Sequence, residues 1–178
     1  HEVNNSFILT NRLLKAGASV EWLENGAKVG RTQLQPGALW VQASPESTAA
    51  VRAAVGELGF NAYAVDRKPA GGAIALKPVR VGLVDRYGGV MSAGWTRWLL
   101  EQYEFPFEVV YPQTLTAGNL NERFDVLVFT DGTTPALDHA AYRPQRNQPL
   151  PQAEDIPEAY RAWLGEVTAD GAVPQIAE

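Results

Sequence analysis

Two short loops in this sequence carry residue types that could grip a small molecule. The first, Asp85-Arg86-Tyr87-Gly88-Gly89, follows the apolar run at residues 80–84, and the second, Thr130-Asp131-Gly132-Thr133-Thr134, follows the run DVLVF at 125–129. Carboxylates, a guanidinium, a phenol and hydroxyls at strand ends supply the charged and hydrogen-bonding groups of a ligand site. In an open α/β sheet, ligands bind beyond the carboxyl ends of the strands, where strand order reverses. If the strands order as 2-1-3, the loops are neighbours, and Asp85, Arg86, Tyr87, Asp131 and Thr133 surround one crevice. The plainer reading is that Asp85 and Asp131 close turns and that Arg86 pairs with one of them, because strand-end Asp and Gly are frequent for turn chemistry alone.

Other chemistries find less in this sequence. It contains no cysteine, which excludes thiol nucleophiles, disulfides and thiolate metal sites within the chain. The two histidines, His1 and His139, sit apart in a terminal and a loop segment, so no zinc site made wholly of this chain's residues is expected. Hydrolysis through His139 would need a serine or acid partner, and no G-x-S-x-G elbow accompanies it. The glycines of DRYGGVMSAG do not form G-x-G-x-x-G, and no acidic residue ends the next strand, which argues against a dinucleotide. With 15 Lys and Arg against 20 Asp and Glu, a net charge of −5 and no basic run, the chain offers nothing to follow a phosphate backbone. Its apolar runs are strand-sized, so no membrane partner is expected.

The elements that must position these loops are legible from periodicity. Asn4, Asn5 and Ser6 can cap a helix carrying Phe7, Leu9, Leu13 and Leu14, ended by Gly17. SVEWL reads as a strand, the Asn-Gly of ENGAKVG as a hairpin turn, and GALWVQA as a second strand. Ser44 caps a helix with Pro45 at its first position, with Val51, Ala54, Val55 and Leu58 on one face and Gly59 at its end. NAYAV reads as a strand, and DRKPAGGAIALKP as a connector that places the subdomain boundary near Lys77-Pro78.

From there the pattern is β-α-β-α-β. It comprises the strand at 80–84, a helix over 92–103 whose Trp95, Trp98 and Leu99 share one face, the strand FEVVY, a loop or short helix, and the near-continuous apolar strand DVLVF; the tryptophan pair could stack a sugar or base, but its spacing with Leu99 reads rather as a packed helix face. This alternation predicts a parallel sheet with right-handed crossovers, flanked by helices. The fold class is therefore α/β, with a small α/β subdomain at 1–77 and a parallel-sheet domain at 78–178. A long Pro- and Gln-rich loop follows the last strand. Pro157 then opens a helix bearing Tyr160, Trp163, Leu164 and Val167. The start at His1 and a last helix begun at Thr168 without a closing cap are expected of a piece of a longer polypeptide, the second domain being incomplete at its C-terminus. Ending the sheet at DVLVF leaves an unpaired strand edge and an apolar face on the Trp163 helix, so a homo-oligomer or a bound companion fragment is expected.

Two stretches add a resemblance. AGWTRWLLEQYEFPF with TAGNLNERFDVLVFTDG, and HEVNNSFILTNRLLKAGASV at the start, resemble the region that follows the catalytic domain in large bacterial carboxypeptidase A-like zinc metallopeptidases. The resemblance covers most of the chain, with GWTRW and NRLLKAG as its most specific stretches. It implies a flavodoxin-like, class I glutamine amidotransferase-like fold for the second half, a zinc peptidase as the parent protein and an extracytoplasmic location. The family's zinc ligands, an H-x-x-E pair with a later His, and its catalytic Glu lie in an upstream domain; no position here matches them, so no catalytic residue or metal ligand is carried over. Where related sequences have acidic residues before G-W-T-R, this chain has Ser92-Ala93. The resemblance thus implies a non-catalytic scaffold packed beside its own peptidase domain, whose cofactor is zinc. The competing expectation is a small-ligand or peptide-binding module using the Asp85/Asp131 crevice.

Overall fold

The computed structural model describes residues 4–134, 151–165 and 167–176. The chain divides into two compact units, His1–Pro78 with Tyr103–Phe105, and Val79–Gln102 with Pro106–Glu178. His139 and most of the Pro- and Gln-rich loop lie outside the described residues.

In the first unit, helix α1 (Ser6–Lys15) turns Leu9 and Leu13 inward, one helical turn apart. They meet Val20 of strand β1 (Val20–Leu23) and, further on, Ala54. Asn5 precedes α1 without a side-chain cap bond; its Nδ2 donates instead to the Leu58 carbonyl at 3.0 Å. After β1, the Asn25-Gly26 turn leads into β2 (Ala27–Val29), which pairs antiparallel with β3 (Thr32–Leu34). The Asn-Gly turn therefore joins two sheets and is not the tip of a hairpin formed by the strands beside it. Gly26 is required there twice over, by its φ of 68° and by the Leu34 carbonyl oxygen, 2.2 Å from where a Cβ would stand. The true partner of β1 is β4 (Leu39–Val41), reached across the β2/β3 ribbon, with Val20 opposite Val41.

Helix α2 (Pro45–Leu58) starts as its sequence predicts. Ser44 Oγ accepts the Ser47 N–H at 3.1 Å, and Ser47 Oγ accepts the Ser44 N–H at 2.9 Å, a reciprocal cap. Gly59 ends it with φ at 71°. NAYAV forms no strand, and residues 61–65 are exposed. The free edge of β1 is taken by β5 (Ala73–Ala75), within the stretch expected to be a connector. Backbone bonds from Glu24 to Gly72 and from Leu76 to Val20 extend this ladder at both ends, and Leu76 packs on the Leu13 core. Hydrogen bonding along the edge, together with one apolar anchor, thus decides the pairing. Tyr103–Phe105 belongs to this unit. Arg12 meets Glu57 at 2.8 Å and Glu104 at 2.7 Å, and Asn11 Nδ2 donates to the Tyr103 carbonyl at 2.8 Å. The two carboxylates hold the guanidinium of Arg12 in its charged form, Glu104 contributing most.

The second unit is a mixed α/β arrangement around a three-stranded parallel sheet. Strand β6 (Val81–Val84) is central, with β7 (Phe107–Val110) on one side and β8 (Val126–Val128) on the other. Within this unit the strand order is 2-1-3. Helix α3 (Met91–Gln102) follows β6, and short helices α4 (Pro112–Ala117) and α5 (Leu120–Arg123) lie between β7 and β8. Helix α6 (Ala169–Ile176) follows Thr168, whose Oγ1 accepts the Gly171 N–H. Val84, Val110, Leu115, Leu120, Phe124 and Ala172 form one buried cluster. At the start of the sheet Arg80 holds Asp125 through two side-chain nitrogens and its backbone N–H. These bonds hold the Asp125 carboxyl well below the usual range, at about 2.

Two expectations fail in this unit. The segment after Pro157 is a 3-10 helix, Glu158–Trp163. Trp163 presents no open helix face there, since its ring stacks on Tyr111 with centroids 4.7 Å apart and planes 8° from parallel. The tryptophans of α3 are not packed inward either; Trp95, Trp98 and Leu99 are exposed, and the helix buries Ala93 instead. Ala93 and Trp95 lie about 160° apart around a helix of 3.6 residues per turn. A small alanine allows the helix axis to approach the sheet closely. The i, i+3, i+4 pattern identified an apolar face without saying which side the sheet would cover.

Candidate functional site

The carboxyl ends of β6 and β8 converge on one open cleft of about 440 Å³, lined by Arg86, Gly89, Val90, Met91, Ser92 and Asp131. It lies at the switch point, where the chain passes from central β6 to β7 on one side and then from β7 across to β8 on the other. Asp85 begins the first loop by donating its N–H to the Val110 carbonyl at 3.0 Å, which extends the pairing of β6 with β7 by one residue. Its carboxylate then turns back, Oδ1 accepting the N–H groups of Arg86 at 2.8 Å and Val90 at 3.1 Å. A Gly89 N–H bond to the Arg86 carbonyl tightens the turn, with Gly88 and Gly89 both at positive φ. Asp85 thus closes the loop, as the plainer reading has it.

Arg86 departs from that reading, because it pairs with neither aspartate. It lines the cleft half-buried, and its Nε lies beneath the surface with no hydrogen-bond partner. Asp131 is exposed and also lines the cleft. Thr133 is buried and turned into its own loop, its Oγ1 accepting the Thr130 N–H at 2.8 Å and donating to the Thr130 carbonyl at 2.9 Å. Tyr87 is half-buried and does not line the cleft. Of the five residues named from sequence, the cleft therefore brings Arg86 and Asp131 together. Asp85 supports it from the loop behind, and Thr133 shapes the second loop.

The residues that sequence reasoning missed are those of the first turn of α3. Ser92 Oγ donates to the Asp131 carbonyl at 2.5 Å and lies 3.2 Å from Thr130 Oγ1, tying the helix start to the loop after β8. The signal available in the sequence was a serine at the expected start of the helix. A carboxylate has no proton with which to meet a carbonyl, whereas a serine hydroxyl does. Beside the loop, burial and then the charge of Asp85 raise the Tyr111 hydroxyl above its usual range, so it stays protonated. Among the described residues no three His, Cys, Asp or Glu side chains are grouped to hold a metal, and no residue here is assigned to zinc. The chain matches no protein-family signature, no curated protein and no solved structure.

Proposed function

We propose that this chain is a non-catalytic accessory region of a carboxypeptidase-like zinc metallopeptidase, packed beside the peptidase domain. In this reading its second unit is a flavodoxin-like, class I glutamine amidotransferase-like domain used for docking. The observation that carries the proposal is the outer face of α3. Met91 is 80% exposed, Trp95 61%, Trp98 48% and Leu99 47%, and the Trp95 and Trp98 rings meet edge to face at 5.8 Å. The four side chains form a continuous strip along a helix about 18 Å long at 1.5 Å per residue. A contiguous apolar strip of this kind marks an interaction surface, and Trp and Met are enriched at the centres of interfaces. It coincides with GWTRW, one of the two stretches in which the resemblance is most specific.

The test compares the product of the full open reading frame with this 178-residue chain. Amide exchange over residues 91–102 and acrylamide quenching of tryptophan are measured in both. The reading expects a longer product with zinc-dependent carboxypeptidase activity, protection of α3 only in that product, and neither zinc nor activity in the chain alone. A product of 19.4 kDa, equal exposure of α3 in both, or one tight zinc per isolated chain would each defeat it.

A second reading, a small-ligand or peptide-binding module using the cleft at the strand ends, is favoured by the unpaired Arg86. A side chain that could have met Asp85 or Asp131 and meets neither is available to a ligand. A ligand that binds only the folded state raises the melting temperature by mass action. A thermal-shift screen in which no compound does so would remove this reading and leave the first intact.

A further inference from the structure

We infer that the cleft is an oxyanion site, in which Arg86 and the first turn of α3 receive the single carboxylate or phosphate group of a small molecule. The inference rests on the second reading above and names the chemistry of its ligand. Among the described residues two arginines are half-buried, Arg12 and Arg86. Arg12 is saturated, its three guanidinium nitrogens meeting Glu57 and Glu104. Arg86, half-buried like Arg12, has no carboxylate partner among the described residues, and its Nε has neither water access nor an acceptor. A buried donor on a charged group is costly to leave unpaired. An oxyanion entering the cleft would draw the guanidinium toward it and supply the missing acceptor, in the two-pronged geometry that arginine offers carboxylates and phosphates.

The surroundings favour the same charge. The first helical bond of α3 runs from the Gly94 N–H to the Val90 carbonyl. The N–H groups of Met91 and Ser92 therefore belong to the first turn, which the helix itself leaves without acceptors, and both residues line the cleft. Asp85 has already taken the N–H groups of Arg86 and Val90, so its carboxylate is directed into the loop. Asp131, which also lines the cleft, sets the limit, because its negative charge opposes a polyanion. That selects a ligand with one oxyanion group over a polyphosphate or a nucleic acid strand. A cleft of about 440 Å³ lies within the size range of small-molecule sites.

The experiment is a two-dimensional NMR titration of the intact chain with sodium acetate and, separately, inorganic phosphate, holding ionic strength constant with chloride. The expected result is saturable shifts concentrated at residues 85–92 and 131, weakened at least tenfold in Arg86→Met. They should be unchanged in Arg97→Gln, which removes a neighbouring guanidinium already paired with Glu101. Asp131→Asn is expected to tighten binding several-fold, a readout that stands even if Arg86→Met folds poorly. Linear, non-saturating shifts, or equal affinity in Arg86→Met, would overturn the inference. If a neutral compound stabilises the chain through these amides while both anions fail, the cleft keeps its role and the oxyanion chemistry is wrong. If neither anions nor neutral compounds act there, both fall together.

Discussion

Gly82 sits in the middle of β6, buried, opposite Glu108 of β7 and Leu127 of β8. A Cβ at this position would stand 2.7 Å from Leu127 Cδ2, 2.9 Å from Val110 Cγ2 and 3.0 Å from Phe124 Cδ1. Carbon atoms in contact prefer about 3.5–4.0 Å, so the single methyl of Gly82→Ala forces three core side chains back at once. Overpacking of this kind costs about 1–3 kcal/mol, and the stiffer unfolded chain returns roughly 0.4–1 kcal/mol. The expected net loss is therefore about 1–2 kcal/mol.

Gly94 supplies the control, since it lies within α3, exposed, with nothing within 4 Å of the same added atom. There, Ala in place of Gly should gain about 0.5–1 kcal/mol. Urea unfolding, with amide exchange at residues 81–84 to follow the second unit separately, reads both. With a slope of about 1.5 kcal/mol/M, the midpoint should fall by roughly 1 M for Gly82→Ala and rise slightly for Gly94→Ala. A midpoint for Gly82→Ala at or above that of the parent chain, at unchanged slope, would refute the packing of β6 described above.

Three further outcomes are expected. Leu115→Ala, at a fully buried position in the second core, should cost about 2–5 kcal/mol by cavity formation, measured by the same urea midpoints. Ser44→Ala removes one arm of the reciprocal cap of α2 and should lower the first unit's stability by about 1 kcal/mol, visible as faster amide exchange over residues 46–58. Asp125 is held at about 2 by Arg80, against an ordinary value of 3.8. Its stabilising contribution is complete above pH 4 and is lost as pH falls toward 2. Acid titration of the unfolding midpoint should show Asp125→Asn less stable than the parent at pH 6, with the difference closing by about pH 2.

What the sequence determined by itself was local. Ser44-Pro45 and Gly59 bracket a helix because a hydroxyl, a fixed φ and a left-handed glycine act within a few residues of one another. The apolar runs at 80–84, 107–111 and 125–129 separated by helical segments specify parallel strands, since no short turn can connect such neighbours. The loop glycines after β6 likewise announced a tight turn, and Asp85 closes it. Tertiary structure decided whatever depends on which distant surface arrives. NAYAV has the composition of a strand, yet residues 72–76 reach the free edge of β1 and bring Leu76 to the core. The tryptophans of α3 announce an apolar face, but the sheet took the side of Ala93, because a small residue permits closer approach. Ser92 became a structural tie only when the loop after β8 placed the Asp131 carbonyl within reach. Whether Arg86 would find an aspartate or stay unpaired was set by that same arrangement, as an ion pair depends on ångström-scale distances that residue order alone does not fix.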